Sequence, residues 1–322
     1  MGLDSGELLK LDGLSVEYRV RGGWLSAVKN VTLGVGSGEI FAVVGESGCG
    51  KSTIAHSIMR LNTDGNERVS GGIYFEGENL GDYSDRQMTA VRGKKIGMIF
   101  QNPLDSLNPV YRSGYQVAEA IYLDGKGRDE VWREVIELYR KMKMPDPAKR
   151  VRSFPHELSG GMRQRVMIAM MLARNPKLLI ADEPTTALDV TIEAQILEIM
   201  NQLRADFDAS ILLITHNFGL VAEIADRVAV MYAGEVAEQG SVFEIFQRPR
   251  HPYTELLMKA LPRRSKREGR LQTIDGTVPR LTSTEPGCRF YNRCPCAGGR
   301  CRNQDPPVRR LSDTHSYACH NR

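Results

Sequence analysis

Nine residues, Gly45-Glu46-Ser47-Gly48-Cys49-Gly50-Lys51-Ser52-Thr53, limit what this chain can fold into more than any others. They match the pattern G-x-x-x-x-G-K-S/T. They also fall between an apolar, β-rich run at residues 39–44 and a stretch of helical character at residues 52–61. Strand, glycine turn and helix in that order make a phosphate cradle. The glycines let backbone N–H groups turn inward around phosphate oxygens. The helix that follows adds the positive end of its dipole. Lys51 is expected to reach the terminal phosphates of a nucleotide, and the Ser52 hydroxyl to ligate Mg²⁺. The candidate nucleotide-binding residues here are Gly45, Ser47, Gly48, Cys49, Gly50, Lys51, Ser52 and Thr53, with Cys49 read as a small filler.

A loop of this kind needs a partner that handles metal and water. Leu178-Leu179-Ile180-Ala181-Asp182-Glu183 is an apolar strand ending in two carboxylates, about 130 residues downstream. Open α/β sheets bind ligands at that end of a strand. Asp182 is expected to hold Mg²⁺, and Glu183 to act as general base for the attacking water. Upstream, Leu158-Ser159-Gly160-Gly161-Met162-Arg163-Gln164-Arg165 is a small-residue turn opening a helix. That is a second anion-binding shape. The chain's own cradle already takes a nucleotide, so this turn needs the γ-phosphate of another.

Short strands are expected over residues 8–44, 73–75 and 96–100, and buried strands at 178–181, 210–215 and 227–232. Helices are expected at 117–122, 130–142, 192–203 and 218–225. Strands alternating with helices predict an α/β fold with a largely parallel sheet. The stretch from 102 to about 173 reads as an inserted helical subdomain.

LSGGMRQR placed before LLIADEPTTALD resembles the signature motif of ATP-binding cassette (ABC) ATPases, and the resemblance extends over residues 8–250. It implies a P-loop ABC core with an antiparallel β subdomain and a helical subdomain. It also implies residue roles. Gln101 matches the Q-loop glutamine, which reaches Mg²⁺ and the attacking water. Ala187-Leu188-Asp189 matches the D-loop, and His216 the switch histidine. Tyr18 lies where the family stacks an aromatic ring on adenine, with Trp24 as a nearby alternative. Two such domains pair head to tail, so Ser159, Gly160, Gly161 and Asp189 face the nucleotide of the partner.

Three further stretches resemble the oligopeptide/dipeptide transporter branch. They are QNPLDSLNP from Gln101, RPRHPYT from Arg248 and GCRFYNRCP from Gly287. The branch implies a motor subunit for peptide import at the cytoplasmic face of the membrane. Its partners would be a second, homologous ATPase chain, two permease subunits and an extracytoplasmic binding protein. Oligosaccharides or a metal chelate are alternative cargoes of the same branch. A soluble ABC protein outside transport is disfavoured, because those usually carry two cassettes or a long coiled-coil insertion. Asn217-Phe218 departs from the branch, which has an acidic residue and a leucine there.

Composition agrees with this class. A net charge of +4 does not argue for nucleic acid. No window approaches the roughly 18 consecutive apolar residues of a membrane span. The opening MGLDSGELLK lacks the pattern of a secretory signal.

The expected domains are a nucleotide-binding domain at 1–260 and a basic, Cys-rich region at 261–322. Five of the six cysteines crowd into the last 35 residues. Five residues separate Cys288 from Cys294, six separate Cys294 from Cys301, and seventeen separate Cys301 from Cys319. Without a Cys-x-x-Cys pair, a zinc ribbon is disfavoured. The branch implies a 4Fe–4S cluster on Cys288, Cys294, Cys301 and Cys319, with Cys296 as a spare. The tail has little apolar material, so these thiolates are expected to staple it together.

Overall fold

The computed structural model describes residues 6–62, 65–101, 107–122, 125–185, 190–207, 209–261, 274–279, 282 and 285–322. The chain forms two compact units, residues 1–83 with 214–322, and residues 84–213. In chain order the first unit begins with β1 (Glu7–Val20), β2 (Gly23–Gly36), β3 (Ile40–Val44), α1 (Lys51–Ile58), β4 (Glu67–Phe75) and β5 (Glu78–Asn79). The second unit holds α2 (Asp85–Val91), β6 (Ile96–Ile99), α3 (Ser113–Tyr122), α4 (Arg128–Lys141), α5 (Pro147–Arg150), α6 (Gly160–Leu172), β7 (Leu178–Asp182) and α7 (Val190–Phe207). Strand β8 (Ser210–Thr215) carries the chain back. The first unit then resumes with α8 (Phe218–Ile224), β9 (Arg227–Tyr232), β10 (Glu235–Ser241), α9 (Val242–Gln247), α10 (Pro252–Ala260), α11 (Gly299–Asn303), β11 (Val308–Arg310) and β12 (Ser316–Ala318).

Strands β1 and β2 are fourteen residues each, longer than the sequence pattern indicates. They form an antiparallel hairpin in which Val20 faces Gly23, with Gly22 at φ 102° in the turn. Register shifts interrupt the pairing between Leu11 and Leu14 and again between Leu14 and Val16. Each bulge resets the inward-outward alternation, so one long strand has the apolar pattern of several short ones. Leu9, Leu11, Leu14 and Val16 are nevertheless all fully buried. Strand β4 pairs with β1, and β5 with β4.

The other sheet of the first unit is mixed. Strand β3 runs parallel to β9, from Phe41 opposite Arg227 to Val44 opposite Val230. Every residue of β3 is buried, which explains its unbroken apolar run. Strand β10 then pairs antiparallel with β9, β12 with β10, and β11 with β12. The expectation of a largely parallel sheet is corrected at this edge, which the Cys-rich tail itself extends.

In the second unit β6 and β7 pair in parallel, from Ile96 opposite Leu178 to Ile99 opposite Ala181. Helices α3, α4 and α6 contribute fully buried Val117, Ile121, Val131, Val135, Tyr139 and Ile168. Helix α4 carries Asp129 and Glu130 in its first turn and Arg140 and Lys141 in its last, matching the helix dipole at both ends.

Candidate active site

The phosphate loop joins β3 to α1. A Cβ on Gly45 would stand 2.3 Å from the Met231 carbonyl oxygen and 2.9 Å from Cys49 Sγ. Gly50 has φ 99°, and a Cβ there would meet the Ala27 carbonyl oxygen at 2.4 Å. Only glycine fits either position. Lys51 folds back over the loop, its Nζ donating to the carbonyls of Gly45 (2.8 Å) and Glu46 (3.1 Å). Ser47 and Gly48 are exposed at the crest. Cys49 is 1% exposed, and burial pushes its thiol up against the opposing pull of Lys51. It fills space beneath the loop.

Tyr18, on β1, lies beside the last residue of the motif. Burial raises its phenol above the ordinary value, and a hydrogen bond with Thr53 partly offsets this. Its hydroxyl also donates to Asn62 Oδ1 at 3.4 Å. Trp24 is otherwise engaged, with the Arg68 guanidinium 3.9 Å from its ring. His216 is exposed directly after β8. Asn217 caps α8, its Oδ1 accepting from Gly219 N (2.9 Å) and Leu220 N (3.3 Å). A carboxylate would do the same, so the departure from the branch pattern keeps the cap.

In the second unit the two remaining catalytic candidates meet. Gln101 Nε2 donates to Glu183 Oε2 across 3.1 Å. Glu183 has φ 46°, a left-handed backbone, while its neighbour Asp182 ends β7 at 2% exposure. Ser159 is the N-cap of α6, its Oγ accepting from Met162 N at 3.3 Å. Gly160 and Gly161 open that helix. Gln164, absent from the sequence candidates, ties this helix to the strand end. Its fully buried side chain donates from Nε2 to the Pro184 carbonyl at 2.7 Å. Its position in LSGGMRQR was the available signal. Asp189, with the rest of the D-loop, lies outside the described residues.

The tail is seated on the first unit. Phe290 is 2% exposed and packs against Tyr232, Tyr253 and His251, with ring centroids 5.0, 5.2 and 5.9 Å away. Arg289 forms an ion pair with Glu235 and donates to the Ser26 hydroxyl and the Ala233 carbonyl, and Lys29 pairs with both Glu235 and Asp305. Burial raises the Glu235 carboxyl despite these cations.

None of the six cysteines is in a disulfide. Cys288 N donates to the Cys301 carbonyl at 2.8 Å, while Asn321 contacts Cys319 Sγ through its amide N–H and Cys301 Sγ through Nδ2. Burial, with Cys301 and Cys294 nearby, pushes Cys288 up to about 12. Burial, with Cys296, Cys319 and Cys301 nearby, pushes Cys294 up to about 11. The four named cysteines therefore share one neighbourhood. Among the described residues no group of three or more His, Cys, Asp or Glu is placed to hold a metal ion.

These elements define a class, the ATP-hydrolysing cassette of an ABC transporter. The ABC transporter family model matches residues 28–186, and that of the Oligopeptide/dipeptide transporter, C-terminal region, matches residues 237–301. A probable peptide ABC transporter ATP-binding protein of Sinorhizobium fredii is 49% identical over 91% of this chain and 88% of its own length. The oligopeptide transport ATP-binding protein OppD of Bacillus subtilis is 48% identical over 96% of this chain and 87% of its own. Among solved structures, the dimeric post-hydrolysis state of the ATP-binding cassette MJ0796, bound to ADP and phosphate, has TM-score 0.65 and 27% identity. It covers 73% of this chain and 98% of that one. The chain belongs to the ABC transporter family, among the ATP-binding subunits of its oligopeptide/dipeptide branch.

Proposed function

We propose that this chain is the motor of an importer for di- and oligopeptides, working at the cytoplasmic face of the membrane. The match of residues 237–301 to the oligopeptide/dipeptide C-terminal region carries the cargo assignment. In this account the loop N–H groups and Lys51 hold the nucleotide phosphates, and Tyr18 packs against adenine. Ser52, Asp182 and Gln101 supply the hard oxygen donors that suit Mg²⁺. Mg²⁺, when bound, neutralises charge on the β- and γ-phosphates. Glu183 takes the proton of the attacking water, Gln101 orients that carboxylate, and His216 contacts the γ-phosphate. Ser159, Gly160, Gly161 and Asp189 serve the nucleotide of a second ATPase chain.

That second chain is a homologue rather than another copy, and a binding protein outside the membrane delivers the peptide. Membrane permease subunits complete the assembly. Supporting this, the second unit carries a groove of about 870 Å³ lined by Tyr111, Arg112, Tyr115, Trp132, Ile136 and Phe154. Tyr111 and Tyr115 are half exposed there. An exposed aromatic surface of this kind suits a permanent protein partner. Among the described residues no helix is long and apolar enough to cross a membrane.

In the same account Cys288, Cys294, Cys301 and Cys319 are the ligands of a 4Fe–4S cluster. The support is their count and spacing, and the backbone bond from Cys288 N to the Cys301 carbonyl that brings two of them to one part of the tail. Such a cluster, when bound, cross-links the tail.

The decisive test of cargo is reconstitution of the chain with its permeases and binding protein in vesicles. ATP-dependent entry of a labelled tripeptide, with no entry of an oligosaccharide or a metal chelate, is the expected result. The reverse preference would overturn the assignment.

A further inference from the structure

Glu46 sits inside the phosphate loop, where a negative charge opposes the binding of a polyanion. Sequence motifs give it no role. In the structure its carboxylate is covered by a residue from the far end of the chain. Arg293 Nη1 donates to Glu46 Oε1 (3.0 Å) and Oε2 (3.1 Å). The Arg293 side chain is 7% exposed and that of Glu46 29%.

The remaining contacts fix the guanidinium in place. Nε donates to the Asp275 carbonyl (2.8 Å), Nη2 to the Ile274 carbonyl (3.2 Å) and Nη1 to the Tyr232 hydroxyl (3.3 Å). The Tyr232 ring lies 5.6 Å from the guanidinium carbon. Glu46 is equally constrained. Its amide N–H donates to the Tyr253 hydroxyl (3.3 Å), and its carbonyl accepts from Lys51 Nζ (3.1 Å). A continuous path of bonds thus runs from the tail through Glu46 to the phosphate-binding lysine.

We propose that Arg293 is a positioning residue of the nucleotide site: it neutralises Glu46 and holds the phosphate loop in its binding shape. The proposal rests on the assignment of residues 45–53 as the phosphate cradle. It gives the Cys-rich tail a direct bearing on nucleotide affinity, because Arg293 immediately precedes Cys294. Truncating one partner of a largely desolvated pair leaves the other charge uncompensated. Here the uncompensated charge would lie in the cradle itself.

The test measures ATP affinity and steady-state kinetics of the full-length chain. Arg293→Ala should raise the Kd and KM for ATP about tenfold, with kcat at saturating ATP within about twofold of the parent. Arg293→Lys should lie between, since an ammonium replaces the charge but not the fork. Glu46→Gln added to Arg293→Ala should recover most of the lost affinity, which it could not do if Arg293 merely kept the tail folded. Parental affinity in Arg293→Ala, or no recovery in the double variant, overturns the proposal. Lys51→Ala is run alongside. Unaltered ATP binding in Lys51→Ala would overturn the cradle assignment and the proposal with it. Loss of binding there with parental binding in Arg293→Ala overturns the proposal alone.

Discussion

Gln101 Nε2 and Glu183 Oε2 are joined by a hydrogen bond of 3.1 Å, linking a residue two positions past the end of β6 to the residue that follows β7. Glu183 holds a left-handed backbone at φ 46°. Non-glycine residues in that region store of order 1–3 kcal/mol, and such strain gathers at functional sites. The left-handed residue stands at the end of β7, and Gln101 bonds its carboxylate there. Gln101→Ala should therefore lower kcat by about tenfold or more while ATP still binds. Turnover measured at saturating ATP checks this, and a parental kcat would remove Gln101 from the mechanism.

The packing of Gly45 makes a sharper demand. Gly45→Ala places a methyl 2.3 Å from the Met231 carbonyl oxygen. Backbone cannot yield as a flexible side chain does, so the loop must shift away from β9. We expect a stability loss of roughly 1–3 kcal/mol and weakened ATP binding together, read by thermal unfolding with and without ATP. Gly48→Ala is the contrast, because nothing lies within 4 Å of its Cβ position, leaving only the strain of φ 78°.

A third expectation concerns pH. His251 caps α10, its Nδ1 accepting from Tyr253 N at 3.1 Å, and its ring also bonds the Ala318 backbone. Burial lowers its pKa to about 4, the bond to Ala318 opposing. In the unfolded chain the same group titrates near 6.5. Between these values the unfolded state binds more protons, so stability is full above about pH 6.5 and falls as pH drops towards 4. At pH 5 the loss is roughly 2 kcal/mol. The neighbouring ionisable groups are Glu238, which accepts from the Arg250 and His251 amides and from His315 Nε2, and the phenol of Tyr253. His251→Asn keeps a capping acceptor without the titration. Its Tm should fall less than the parent's between pH 7 and pH 5, and equal falls would contradict the assignment.

For the cysteines, Cys294→Ser should abolish iron and sulfide binding, whereas Cys296→Ser should keep about four irons per chain. Anaerobic purification with iron, zinc and sulfide analysis reads this out. Zinc alone in the parent would contradict the cluster. The tail itself should stay seated in Cys294→Ser, because Phe290, Arg289 and Asp305 hold it independently. Limited proteolysis compares the two variants.

That last point marks where the sequence stopped being informative. Residues 45–53, 159–161 and 182–183 announce themselves because a phosphate cradle, a helix cap and a strand-end carboxylate pair are local devices. Their residue types and spacing are fixed by geometry within one turn. Arg293 and Glu46 are 247 positions apart, and no local pattern couples them. The tail reads as too poor in apolar residues to order itself, which holds only for the tail in isolation. One phenylalanine sunk between Tyr232 and Tyr253 and an edge strand lent by β10 supply what its own composition lacks. Strand β10 (EVAEQGS) carries no apolar alternation in sequence because half-buried Glu235 pairs with Arg289 there and fully buried Glu238 with His315, so the pattern is broken by partnered charge.

The account turns on Glu183 as the base that activates water. Glu183→Gln changes one oxygen to an amide and leaves the phosphate loop and Asp182 in place. The direct measurement is ATP binding and phosphate release by the purified parent and variant under the same conditions. The variant should bind ATP with the parent's affinity and release phosphate about 10²–10⁴-fold more slowly. Phosphate release at the parental rate would show that the attacking water is activated elsewhere, and the assignment of Glu183 would be wrong.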